Sequence, residues 1–313
     1  MIAGSPQGVA HGLVPGFPAV PGTWKTGWTT APSSDGRLNL FSMVHARKDA
    51  RDTGRPARIL FVFHGQGEHC GRYQHFPHYL ADTVDVVATM DHRGHGRSEG
   101  VRGHVDRFEQ YVLDARAFVE RIRSEWTVEG RKPEIHLFGH SMGGLISLLL
   151  LQEQPDLVFR SATLSAPLLG LKFEVPLAKR VVGHALSRVF GGLQLETGLD
   201  SSLVSHDPAV VAGYNEDRLV HGKATTRFFT EMLDAIRRAR SRDTLAVPAQ
   251  FLVPLADGLV DAQATLEFAG GIRQADKRVV TYEGFYHESF NELQKEKAFA
   301  DLSRWIQEHG SST

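Results

Sequence analysis

Cysteine is almost missing from this chain: Cys70 is the only one in 313 residues. A single thiol cannot close an internal disulfide, so a disulfide scaffold is excluded, and a reducing compartment suits such a composition. An excess of charge of either sign is also missing. Thirty-five Lys and Arg face 36 Asp and Glu, a net charge of −1. No basic stripe stands out, so a nucleic-acid partner has no electrostatic support. Long hydrophobic runs are absent as well, and nothing approaches the roughly 18 apolar residues of a membrane span. The segment from Met1 to about Trp24 is rich in Gly, Pro and small residues. It has neither the basic start nor the apolar stretch of a secretion signal. The expectation is a cytoplasmic protein, at most peripheral to a membrane, with residues 1–30 as a flexible lead-in.

What is present is an alternation of short apolar runs with helical stretches. Leu38–His45, Arg58–Phe63, Val84–Met90, Pro133–Phe138, Ser161–Ser165, Pro248–Val253 and Val279–Tyr282 read as strands. Arg107–Glu125, Gly143–Gln154 and Lys295–Glu308 read as helices between or after them. Several strands are continuously apolar, as expected when both faces are covered, so an α/β fold with a mostly parallel sheet is predicted. Residues 168–246 break this rhythm. They show amphipathic helical pieces, clearest at Pro176–Phe190 and Thr225–Arg240, and no convincing strand. They are expected to form a helical cap inserted in a core of residues 31–167 and 247–313.

The sharpest motif is Gly139-His140-Ser141-Met142-Gly143, a G-x-S-x-G between a strand and a helix. A serine at so tight a turn needs small neighbours, and the turn lifts its hydroxyl to a helix N-terminus. There the N–H of Met142 can face a developing oxyanion. The partners should follow in the order acid, then histidine. Asp257 comes just after the strand Pro248–Val253, and His287 just after Val279–Tyr282. In this reading Ser141 is the nucleophile, His287 its base, and Asp257 the carboxylate that orients the histidine. Asp261 is the rival acid, but its place suits a helix cap better.

The strand Arg58–Phe63 runs into His64-Gly65-Gln66-Gly67-Glu68-His69-Cys70. It is no dinucleotide fingerprint, because Cys70 stands where a third glycine is needed. It suits the loop that supplies a second oxyanion N–H, from the backbone of Gln66. Six histidines (His64, His69, His75, His78, His92 and His95) invite a metal reading. With 16 in the chain, and no H-E-x-x-H pattern, no metal or cofactor is expected. Cys70 is not expected to act as a nucleophile.

Together these segments resemble the monoacylglycerol lipase and lysophospholipase branch of the α/β hydrolases, of serine aminopeptidase S33 type. The resemblance rests on His64-Gly-Gln-Gly-Glu-His with Gly71-Arg72-Tyr73, and on Asp91-His-Arg-Gly-His-Gly-Arg-Ser-Glu-Gly100. Gly139-His-Ser-Met-Gly-Gly144 and Tyr282-Glu-Gly-Phe-Tyr-His287 complete it. It implies an α/β-hydrolase fold and an enzyme that hydrolyses a monoacylglycerol or lysophospholipid ester under a helical cap. It also implies that Glu68, Arg72, His140 and Phe290 lie by the substrate, and that Asp91–Gly100 is a structural loop. The chain departs from the pattern where a second histidine often stands three residues after the first, since that position is Phe290. Its His287-Glu-Ser-Phe-Asn-Glu292 ending is closer to bacterial lysophospholipase-like members. A small-ester or lactone hydrolase and a proline-iminopeptidase-like enzyme are the competing enzymatic readings. For the latter, Glu174, Glu196 and Glu231 are candidates to hold a substrate ammonium. A receptor built on a hydrolase fold is the non-enzymatic one. The partner expected is a small lipid ester, with transient contact between the cap and a membrane surface.

Overall fold

The computed structural model describes residues 17–172, 187 and 190–311. Its main sheet has eight strands: β1 Trp24–Pro32, β2 Asn39–Arg47, β3 Arg58–Phe63, β4 Val86–Met90, β5 Glu134–His140, β6 Ser161–Ser165, β9 Ala249–Pro254 and β10 Lys277–Tyr282. Their spatial order is β1-β2-β4-β3-β5-β6-β9-β10. Strand β2 is antiparallel to both β1 and β4, and every other pairing is parallel. This is the α/β-hydrolase arrangement.

Burial explains why the inner strands read as unbroken apolar runs. In β3, Ile59, Phe61 and Phe63 belong to one hydrophobic cluster, while Leu60 and Val62 belong to another. Side chains alternate across a strand, so the two clusters cover opposite faces of the sheet. Helix α3, Met142–Glu153, is buried from Met142 through Leu151. It packs on β5, on α2 (Glu109–Glu125) and on α5 (Thr226–Arg240). A helix that is apolar all round has to be an interior one.

Of the lead-in read as flexible over residues 1–30, residues 1–16 lie outside the described residues, and the edge strand β1 corrects the reading over residues 24–30. Trp24 is buried, and Phe17 stacks on His75 with ring centroids 4.4 Å apart. Strand β1 escaped notice because an exposed edge carries few apolar residues; its polar face reads as loop.

The insertion between β6 and β9 also differs from expectation. Strands β7 (Gln194–Glu196) and β8 (Lys223–Thr225) pair antiparallel in a small second sheet. Two helices flank β8: α4, Pro208–Glu216, and α5. Helix α5 matches the amphipathic reading, with Phe228, Met232 and Ile236 buried on one face and the Thr225 hydroxyl capping the Phe228 N–H. Of the reading Pro176–Phe190, all but Ser187 and Phe190 lies outside the described residues. The core closes with α6, Ala262–Gly271, and α7, Lys295–Glu308.

Candidate active site

In open α/β sheets a cleft opens at the carboxyl ends of the strands, where the chain turns from one side of the sheet to the other. Strand β3 is such a point: β4 lies on one side of it and β5 on the other. The loops after β3 and β5 therefore diverge from adjacent strands. Gln66 sits on one and Ser141 on the other.

Ser141 caps α3 with φ 53° and ψ −117°, a left-handed backbone for a residue with a side chain. Such a conformation costs about 1–3 kcal/mol and is held by its surroundings. The flanking glycines make it possible. A Cβ on Gly139 would overlap Ser147 Oγ and the Gly143 carbonyl, and one on Gly143 would overlap the Phe63 carbonyl. The N–H of Met142 begins α3, where helix geometry leaves it unpaired.

Asp257 and His287 follow the parallel neighbours β9 and β10. His287 Nδ1 lies 2.7 Å from Asp257 Oδ2. The other carboxylate oxygen accepts the N–H groups of Leu259 at 2.8 Å and Val260 at 3.0 Å. Burial alone would raise the Asp257 pKa, but the charge and hydrogen bond of His287 and the two N–H groups hold it below the usual range. Burial would lower that of His287, yet the Asp257 carboxylate raises it, helped by Glu288 and Glu68. With Nδ1 donating to Asp257, Nε2 is left to accept a proton. Ser141 and His287 share one cavity wall, and Ser141 Oγ has no hydrogen bond among the described residues. Such bonds often tighten only with substrate. Asp261 instead caps α6, accepting the Gln263 N–H at 3.0 Å.

The histidines around the Gln66 loop hold backbone. His64 Nε2 accepts the His92 N–H at 3.0 Å, so Nδ1 carries the proton donated to the Gly65 carbonyl at 2.8 Å. Gln66 bridges two segments: Oε1 lies 3.0 Å from His95 Nε2, and Nε2 donates to the Lys223 carbonyl at 3.0 Å. The His221 N–H donates to the Gly67 carbonyl at 2.8 Å. His69 pairs with Asp217 at 2.7 Å, and His75 lies 3.2 Å from the Phe290 carbonyl. Burial and the nearby Asp91 carboxylate push the Cys70 thiol up, keeping it protonated. Asp91 itself accepts the N–H groups of Cys70 and Arg97, each at 2.7 Å, tying its loop beneath the site.

A cavity of about 810 Å³ opens over Ser141, lined mostly by apolar side chains such as Leu168, Leu171, Phe228 and Met232. His140, Glu68 and Gln66 also line it. Burial and the charge of His287 hold the His140 pKa down at about 3, so its ring is neutral. Two expected substrate neighbours are elsewhere. Phe290 packs among Phe76, Phe138 and Phe299 in the core. Arg72 lies behind the wall, bonded to Glu68 and Glu288 at 3.2 and 2.5 Å. The ring expected beside the substrate is instead buried in the core, and the Arg72 cation is held by its two carboxylates.

Sequence reasoning missed Glu288 and Glu292, although both stand in the quoted ending. The loop after β10 is clasped by the insertion. The N–H groups of His287 and Glu288 donate to the Leu203 and Val204 carbonyls at 3.3 and 2.9 Å. Glu292 Oε1 accepts the Tyr286 N–H at 2.8 Å and lies 2.9 Å from His206 Nδ1, while the His206 ring stacks on Tyr286. Only the carboxylate at the fifth position after His287, on a buried turn, hinted at this.

Comparison with known proteins places the chain in a family. A family model described as serine aminopeptidase, S33, matches residues 54–294. The chain is 32% identical to mouse monoglyceride lipase over 82% of its own length and 84% of that protein. It is 28% identical to the Bacillus subtilis phospholipase YtpA, over 78% of this chain and 93% of the other. The crystal structure of a monoacylglycerol lipase from Paleococcus ferrophilus superposes with a TM-score of 0.74 at 27% identity, covering 88% of this chain and all of that one (100%). The chain therefore belongs to the serine aminopeptidase S33 family of α/β hydrolases, in the branch shared with monoglyceride lipases.

Proposed function

We propose that this carboxylic ester hydrolase cleaves the acyl ester of a monoacylglycerol, through a Ser141–His287–Asp257 triad and an acyl-enzyme. The observation that carries the reading is the strained Ser141 turn beneath a large apolar cavity whose described lining includes no Lys or Arg. Such a cavity takes an acyl chain, and its described lining offers no cation to a phosphate.

His287 Nε2 takes the Ser141 proton as Oγ attacks the ester carbonyl. The Gln66 and Met142 N–H groups receive the negative charge that develops on the carbonyl oxygen. Asp257 keeps the imidazolium oriented and stabilised. His287 then protonates the leaving alcohol, and a water activated by the same base releases the fatty acid. Residues 168–246 act as a cap that shapes the acyl channel. Leu195 and Leu199 both line the cavity and face solvent, beside exposed Phe190 and Leu193. An apolar rim of that kind would meet a lipid surface during substrate capture.

A lysophospholipid is the second reading, favoured by the likeness to the Bacillus phospholipase. The aminopeptidase reading has less support. Glu231 accepts the Phe108 N–H at 3.1 Å, Glu174 lies outside the described residues, and only Glu196 reaches the wall. The test is hydrolysis of p-nitrophenyl esters from acetyl to palmitoyl, wild type beside Ser141→Ala. A maximum at medium or long chains that vanishes in the variant is expected. No turnover by a folded wild type at any length would overturn the assignment.

A further inference from the structure

Glu288 is only half engaged. Its Oε2 accepts Arg72 Nη2 at 2.5 Å and Asn291 Nδ2 at 2.7 Å. Its Oε1 accepts no hydrogen bond among the described residues, yet it is not one of the sealed polar atoms without a partner. The residue is 6% exposed and lines the cavity directly after His287. The unused oxygen therefore opens toward the cavity. A carboxylate oxygen in so buried a place is costly to leave without a donor.

Both oxygens of the neighbouring carboxylate are already engaged. Glu68 Oε1 accepts the Gly65 N–H at 2.6 Å and the Tyr73 hydroxyl at 2.8 Å, and Oε2 accepts Arg72 Nε at 3.2 Å. One guanidinium is thus shared by two carboxylates, and this end of the site is rich in acceptors. It adjoins His287, the group that protonates the leaving oxygen in the proposed reaction. The alcohol half of the ester must therefore lie within reach of Glu288.

We propose that Glu288 Oε1 accepts a hydrogen bond from a free hydroxyl of the leaving alcohol and sets a preference for polyol esters over simple alkyl esters. This rests on the ester-hydrolase reading above and goes beyond it, because it assigns alcohol selectivity to one side chain. Glu288 makes and breaks no covalent bond; it positions the alcohol.

Glu288→Gln tests the idea cleanly. Arg72 and Asn291 both donate to Oε2, so the glutamine carbonyl must take that place. The amide nitrogen then faces the cavity, and an acceptor becomes a donor. The measurement is kcat/KM for 1-lauroylglycerol and for ethyl laurate, which share an acyl chain and differ in the hydroxyls. The ratio of the two is expected to fall about 10-fold in the variant, because a hydroxyl can still accept from the amide and what is lost is the charge-assisted part of the bond. Equal losses on both esters would show that Glu288 only holds Arg72, and would overturn the proposal alone. A wild type that turns over neither ester would overturn the hydrolase reading and this inference with it. Should the variant not fold, the wild type decides: a tenfold or larger preference for the glyceryl ester supports the proposal, and a ratio near one overturns it.

Discussion

The His64 imidazole holds the Gly65 carbonyl at 2.8 Å. In a trans peptide the carbonyl and the next N–H point in opposite directions. Fixing the Gly65 carbonyl therefore aims the Gln66 N–H, the proposed oxyanion donor, away from His64. His64→Ala should lower kcat about 100-fold with little change in KM, since a lost donor costs roughly 100- to 1000-fold. Steady-state kinetics on one p-nitrophenyl ester would show it. A rise in KM alone would contradict it.

The pH dependence follows from His287. In the proposed mechanism the base must be neutral to accept the Ser141 proton, and Asp257 lifts its pKa above the ordinary histidine value. Activity should rise with pH through a midpoint above 6.5. Asp257→Asn removes the lifting charge, so the acidic limb should move to lower pH while kcat falls about 10,000-fold. The same shift bears on stability. A raised histidine pKa stabilises fully below the unfolded value and fades as pH climbs through the folded one. The His287 contribution is therefore lost toward alkaline pH. Rate–pH profiles of both proteins check the first claim, and urea midpoints at several pH values check the second.

The clasp at Glu292 offers a structural test. Glu292→Ala strands the partly buried Tyr286 N–H and releases His206. Each buried donor left unpaired costs about 1–3 kcal/mol. Urea unfolding should register a loss of about that size. Turnover should fall too, because the His287 loop loses its side-chain tie to His206. Unchanged stability would mean that the turn relaxes to water.

Acyl selectivity is expected to lie in α5. Met232 is buried in the cavity wall. Met232→Trp should shorten the favoured acyl chain by filling the channel, provided the added volume is absorbed at a cost of about 1–3 kcal/mol. The p-nitrophenyl ester series reads the shift directly. An unchanged optimum would place the chain elsewhere in the cavity.

Much of this design was legible before any coordinates. Ser141, Asp257 and His287 could be named because each belongs to a local pattern of strand, turn and following element. Gly139 and Gly143 mark the turn, and apolar runs mark the strands. Strand β1 was missed because an edge strand buries little and so carries little apolar signal. Strands β7 and β8 were missed because three residues are too few to show a period.

What the chain order by itself determined is therefore whatever depends on near neighbours: the buried strands, the serine turn, the order of acid and histidine. Tertiary structure alone decided the rest. Arg72 meets Glu288 across 216 positions and Gln66 meets Lys223 across 157. Which glutamate oxygen is spent, and which remains open to the cavity, depends on how those distant segments pack. Hydrogen bonds of this kind need atoms placed within a few tenths of an ångström, and sequence spacing has no such resolution.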